Sequence, residues 1–167
     1  MLTNLHNAIV AQLLLDVPGL NTCEAYPDMD TRINLPAVLI ETDDSIESAK
    51  DEGTEQLCLT TRWRAYCVYD PNLPNANLEV RNLAVTVALA IYLAGRFGQP
   101  VDPAKIISIH EDDFKQELDG YLVWAVEWEH DLCVGTSAWD AAGVTPTEIN
   151  IAYAPDTGSG GTYEKVL

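Results

Sequence analysis

His110, Asp112, Glu127, Glu129 and Asp131 are the residues whose types and spacing could do chemistry. Asp119-Gly120 between them is a strong hairpin-turn dipeptide. A two-residue turn there faces Leu118 with Tyr121, Asp112 with Glu127 and His110 with Glu129, and it places Asp131 on the same face. Like charges directly opposed across a hairpin destabilise it, so the cluster calls for a counterion, a basic partner or full hydration. Clustered oxygen ligands suit a divalent cation, and a carboxylate pair suits general acid–base work. The plainer reading is a solvated acidic face, with a bulge near Asp112-Asp113 breaking the register. The same register brings Lys115 near Trp124, a cation–π geometry. No cofactor is assigned, and Asp112, Glu127, Glu129 and His110 stand as candidate metal ligands only.

Catalytic signatures are missing from the rest of the chain. There is no G-x-S-x-G or H-E-x-x-H, and Gly158–Gly161 lacks the lysine of a phosphate-binding loop. The sequence therefore reads as a non-enzyme. Cys23, Cys58, Cys67 and Cys133 are widely spaced, contain no C-x-x-C, and share no short spacing with the histidines. They read as reduced, buried thiols, with disulfides left open.

Hydrophobic period and turn residues define the elements that carry these groups. Thr3 can cap a helix running to Asp16 with Leu5, Ile9 and Leu13 in one stripe, Leu2 beside it and His6 at its boundary. Val17-Pro18-Gly19 ends that helix, and a short strand follows around Cys23–Tyr26. Pro36 opens Ala37–Ile40, a strand buried on both faces. Thr42–Glu55 holds Asp43, Asp44, Glu47, Asp51, Glu52 and Glu55 against Lys50, with Ile46 as its one large apolar residue. It reads as a long solvated loop. Gln56–Tyr69 alternates, with Leu57, Leu59, Trp63, Ala65 and Cys67 on one face and Thr60, Arg62, Arg64 and Tyr66 on the other. Asn77 can cap a second helix, Leu78–Phe97, closed by Gly98. Being apolar nearly all round, it should lie centrally against the sheet. Its apolar stretch, Leu83–Ala94, is bracketed by Glu79, Arg81 and Arg96 and is short of the ~20 residues of a membrane span. A strand starting at Ile106 and a return strand Tyr121–Val134, with Leu122, Trp124, Val126, Trp128 and Leu132 on one face, complete the pattern.

The expected fold is α/β of the α+β type: a mostly antiparallel sheet of two long hairpins packed against two helices, with an extended C-terminal arm. One domain spans 1–134. Residues 135–167 form an extension in which Trp139, Ile149, Ile151, Tyr153 and Tyr163 are the interface candidates. Of 167 residues, 47% are apolar, which argues against a disordered chain. The 26 acidic against 9 basic side chains give a net charge of −17, which argues against phosphate-backbone binding. The N-terminus lacks the basic region of a signal peptide. The expectation is an intracellular protein, or part of a particle assembled in a cytoplasm.

The order of helix, short strand, Tyr26-Pro27, the strand Leu35-Pro36-Ala37-Val38-Leu39-Ile40-Glu41, charged loop, long strand, apolar helix and final hairpin resembles the tail terminator proteins of long-tailed bacteriophages, including the lambda and Mu-like groups. The stretch from Trp139 through Pro146-Thr147-Glu148-Ile149 and Ala154-Pro155-Asp156-Thr157-Gly158 to Tyr163 is similar to the ending of some Mu-like tail-end proteins. The resemblance implies a structural virion subunit forming a homo-hexameric ring on the tail tube protein, ending tube elongation and joining the head-tail connector protein. It implies location at the tail end or neck, assembly in the host cytoplasm and no membrane, with DNA passing through the lumen without specific binding. In that role Asp43, Asp44, Glu47, Asp51, Glu52 and Glu55 would form a tube-docking loop. The alternatives are another neck, connector-completion or tube-like subunit, a cation-dependent enzyme, or an acidic nucleic-acid mimic.

Overall fold

The computed structural model describes residues 2–25, 33–48, 53–112, 118, 120–140, 150–153, 157–158 and 160–165. The chain divides into two units, Met1–Gly135 and Thr136–Leu167.

In the first unit, helix α1 (Leu2–Asp16) precedes strands β1 (Thr22–Ala25), β2 (Ala37–Glu47) and β3 (Leu57–Tyr69). Helix α2 (Ala76–Ala94) and strands β4 (Lys105–Glu111) and β5 (Leu122–Val134) follow. The sheet order is β1-β2-β3-β5-β4. The β1–β2 pair is parallel and the other pairs are antiparallel. The fold is α+β, as the hydrophobic patterns predict, and the two hairpins join through β3 and β5. Those two strands pair along their whole length, from Leu57↔Val134 to Tyr69↔Leu122.

Strand alternation sends two sets of side chains to opposite faces. Val38, Ile40, Trp63, Ala65, Cys67, Val126 and Trp128 meet Leu5, Ile9 and Leu13 of α1 and Ala84, Val87 and Ile91 of α2 in the main core. Trp63 and Trp128, direct partners across β3 and β5, stack with ring centroids 6.1 Å apart. On the other face Ala37, Leu39, Tyr66, Val68, Leu118, Val123 and Ala125 make a smaller cluster at one end of the sheet.

Several boundaries differ from expectation. Thr3 lies inside α1, Leu2 is exposed, and His6 is buried, with its ring centroid 4.4 Å from that of Trp63. Helix α2 begins at Ala76, with Asn75 in the left-handed region and no side-chain cap, and Gly95 takes over its C-terminus by bonding the Ile91 carbonyl. Asp43, Asp44 and Glu47 belong to β2, which continues past Thr42 through a bulge to pair Ser45, Ile46 and Glu47 with Thr61, Thr60 and Leu59. Backbone pairing to the long β3 holds these residues in a strand although no core lies beneath them. Cys23 and Cys67 are free and buried, but Cys58 and Cys133 form a disulfide. These two face each other directly across β3 and β5. The Cys58 carbonyl turns away to accept from Ser48 N, leaving a non-hydrogen-bonded pair, where opposed residues come closest.

The length and apolar composition of α2 would suffice to cross a membrane, but one of its faces is packed in the core. In the second unit a short 3₁₀ turn (Ala138–Asp140) precedes β6 (Asn150–Ile151) and β7 (Glu164–Lys165), which pair antiparallel. The Tyr163 hydroxyl bonds both the backbone N–H and the carbonyl of Gly158.

Candidate functional site

Alternation places Arg62 and Arg64 of β3 beside the smaller core on the sheet face away from the helices. The full-length β3–β5 register sets them opposite Glu129 and Glu127. Arg62 Nη2 lies 2.9 Å from Glu129 Oε1. Arg64 directs Nη2 at 2.6 Å and Nε at 2.9 Å to Glu127 Oε1, and its Nη2 also meets Asp43 Oδ2 of β2 at 3.1 Å. From β4, Lys105 Nζ reaches Asp131 Oδ2 at 2.8 Å and Ser108 donates to Glu127 Oε2 at 2.8 Å. Thr60 donates to the other Asp131 oxygen. The acidic residues of β5 are thus members of an ion-pair ladder running over four strands.

The electrostatics follow from this ladder. Burial alone would raise the Glu127 pKa, but hydrogen bonds from Ser108 and Arg64 and the charges of Arg64 and His110 together hold it below the usual carboxylate value. Desolvation works against the charged Arg64, and its bonds with Tyr66 and Glu127 outweigh it, so its pKa is raised.

The expected turn closes between Leu118 and Tyr121, Tyr121 N meeting Leu118 O at 3.1 Å. Beyond it the register differs by four residues. Asp112 N bonds Val123 O, His110 lies opposite Ala125, and Ser108 rather than Asp112 faces Glu127. The irregularity lies between Ile106 and Ser108. The expected pairs Asp112–Glu127 and His110–Glu129 are therefore not formed. Asp112 opposite Glu127 would have opposed like charges, whereas the observed register sets the hydroxyl donor of Ser108 against Glu127. Among the described residues no three His, Cys, Asp or Glu side chains converge as metal ligands would. His110 Nδ1 lies 3.2 Å from the Ser108 hydroxyl, and Asp112 is buried. Arg81 of α2 stands 5.3 Å over the Trp124 ring; Lys115 lies outside the described residues.

Of the acidic loop candidates, Asp43 is tied to Arg64, Asp44 and Glu47 lie on exposed strand, and Glu55 is exposed in the left-handed region. Asp51 and Glu52 lie outside the described residues, as does Ile149 of the arm. Trp139, Ile151, Tyr153 and Tyr163 are all exposed. A cleft of about 400 Å³ beside the disulfide is lined by Ser48, Gln56, Arg96, Asp102 and Asp131.

Sequence reasoning missed the outer face of α2. Val80, Ala84, Val87, Ala88 and Ile91 enter the core, but Val85, Leu89, Tyr92 and Leu93 are 58%, 54%, 67% and 71% exposed. An all-round apolar helix was read as buried all round. Only one of its faces has a sheet to cover it.

No protein-family model matches the chain, and no curated protein matches it. Among solved structures, the chain is similar to the sheath/tube terminator of an extracellular contractile injection system (PVC) in its extended state, seen by cryo-electron microscopy. The TM-score is 0.50 at 14% identity, covering 95% of this chain. The chain spans 65% of the length of that terminator chain. At this identity the likeness establishes a shared fold.

Proposed function

We propose that this chain is a structural, non-enzymatic subunit that caps the tube of a phage tail or phage-tail-like particle. The observation that carries this reading is the fold shared with a sheath/tube terminator over 95% of the chain. It supports on structural grounds the resemblance to tail terminators drawn from the order of elements. Fold alone does not assign function, so the site must agree with it. Glu127, Glu129 and Asp131 are each engaged by a cation of a neighbouring strand, an arrangement that rigidifies a sheet face and leaves these carboxylates little freedom for acid–base work.

In the finer form of the proposal, the chain forms a hexameric ring on the last tube disc, and the ring meets the head connector on its other side. Domain 1–134 forms the body of the ring, and residues 135–167 reach onto a neighbouring copy or ring. The acidic residues of the β2–β3 hairpin dock on the tube. A ring of subunits carrying −17 each repels phosphates, so DNA passes without sticking.

The test is to assemble particles with and without the protein and measure tube lengths by electron microscopy. Tubes of unregulated length in its absence, restored by adding the chain back, are the expected result. Normal lengths with intact head joining would sink the reading.

A further inference from the structure

We propose that the outward stripe of α2 is a docking surface for the Thr136–Leu167 extension of a second copy of this chain. The inference deepens the ring reading and rests on it for the arrangement of copies.

Leu78, Val85, Leu89, Tyr92 and Leu93 recur at helical spacing on the side of α2 opposite the core residues, and all five are exposed. A contiguous exposed apolar patch marks an interaction site, whereas single exposed apolar residues do not. From Asn82 to Ala94 the helix carries no charged residue, in a chain that has 26 acidic ones. Two copies at −17 repel each other, and salt screens that repulsion only beyond about 8–10 Å. This uncharged stretch is where copies can meet without burying carboxylates, whose unpaired burial is costly.

The ends of the stripe specify the occupant. Arg81 and Arg96, two of the nine basic residues, bracket the uncharged stretch. Arg81 rests over Trp124, and Arg96 lies 3.9 Å from Asp102. A fitting partner combines exposed apolar and aromatic side chains with acidic residues spaced among them. The extension has that chemistry: Trp139, Ile151, Tyr153 and Tyr163 are exposed, and Asp140, Glu148, Asp156 and Glu164 stand against Lys165, a net charge of −3. Aromatic anchors of this kind dominate interface energetics. A bilayer matches poorly, since anionic leaflets attract basic segments and repel an acidic chain.

The experiment uses the full chain with the photocrosslinker p-benzoylphenylalanine at position 85 or 89, in an equal mixture of ¹⁴N- and ¹⁵N-labelled protein assembled at high salt. Mixed-isotope crosslinks joining the probe to peptides of residues 136–167 are the expected result. Crosslinks confined to single-isotope species, crosslinks to any other region, or the absence of copy–copy crosslinks would overturn the proposal. As a second arm, Leu89→Glu with Leu93→Glu, and separately Trp139→Ser with Tyr153→Ser, should each weaken self-association about tenfold or more by sedimentation. Both changes fall on exposed residues, so the melting temperature should stay unchanged, and unaltered association in both variants would also overturn the proposal. Regulated tube length with crosslinks mapping elsewhere defeats the docking surface and leaves the terminator reading standing. Normal tubes without the protein defeat the terminator reading whatever the crosslinks show.

Discussion

Arg64 of β3 and Glu127 of β5 face each other directly across the centre of the sheet, and both Nε and Nη2 of the arginine converge on one carboxylate oxygen, Oε1. The second oxygen accepts from Ser108 of β4. One side chain is thereby held from two strands at once, and its position depends on the strand order β3-β5-β4. Because the partners are 63 residues apart, the pair encodes the way the two hairpins join.

The pair should be measurable as a coupling. Arg64 and Glu127 side chains are 26% and 15% exposed, so the interaction is partly screened, and the two charge-assisted hydrogen bonds from one arginine compensate in part. A double-mutant cycle with Arg64→Ala and Glu127→Ala should give a coupling of about 1 kcal/mol by denaturant unfolding. Since folding lowers the Glu127 pKa from its ordinary 4.5, its stabilisation is complete above that value and is lost as pH falls through the folded-state pKa. The cost of Glu127→Gln should therefore be full at neutral pH and fade in acid. An equal cost at both ends would show that the carboxylate charge is not what holds the strands.

His130 should make the fold acid-sensitive in a higher window. Its ring is fully buried between Trp63 and Phe97, with edge contacts to both. Nδ1 lies 2.8 Å from the Asp102 carbonyl, which can only accept, so Nδ1 carries the proton. Nε2 is buried with no partner among the described residues, and protonating it would bury an unpaired charge. Burial accordingly lowers the pKa from 6.5, against the opposing pull of the Asp102 carbonyl and the charges of Asp131 and Asp102. A group whose folded pKa is depressed leaves the unfolded chain binding more protons below 6.5, so stability falls as pH drops from there toward the folded value. His6, also lowered by burial, adds to the same slope. Melting temperatures from pH 7.5 to 5 should decline, and His130→Phe should flatten the decline. An unchanged slope in the variant would show that His130 is not its source.

Local patterns carried the elements and not their neighbours. The alternation of Leu57–Tyr69 and Leu122–Val134 is written in consecutive residues, and both strands form with the expected faces. Their mutual pairing depends on contacts across more than 50 residues, which no local period records. Even so, a signal was present: Arg62-x-Arg64 and Glu127-x-Glu129 share a spacing of two with opposite charge, so antiparallel pairing neutralises both. Reading the β5 carboxylates against β4 instead assigned Glu127 to Asp112 and Glu129 to His110. The hairpin register failed for a different reason. Asp119-Gly120 specifies a turn but not whether the ladder begins beside it, and here the ladder resumes at Asp112 and Val123. The outer face of α2 was illegible because composition reports how apolar a helix is and not how many neighbours it has.

Cysteine chemistry separates two environments on one protein. Burial pushes the Cys23 thiol up to about 12 and the Cys67 thiol higher still, so neither offers thiolate near neutral pH. Cys58 and Cys133 are bonded to each other. Titration of the oxidised protein in denaturant should count two thiols, rising to four after reduction. In the native oxidised protein alkylation should be slow at every cysteine. Four thiols in the unreduced protein would show that the pair is not bonded.

The last prediction concerns the two faces of α2, where residues of one type lie two positions apart in opposite environments. Val87 is fully buried against the sheet, whereas Val85 is 58% exposed. Val87→Ala removes buried methyl groups and leaves a cavity, costing about 1–3 kcal/mol. Val85→Ala trades a β-branched residue for the best helix former at an exposed position, so its effect should lie within about 0.5 kcal/mol of zero and lean toward stabilisation. Denaturant unfolding of the two variants at low protein concentration isolates the fold from any association. The same pair at high concentration and high salt should reverse its order of importance for self-association, with Val85→Ala weakening it and Val87→Ala leaving it unchanged once folded protein is counted. Equal destabilisation by both variants at low concentration would mean that the outer face of α2 is covered within the single chain, and the stripe would then be core.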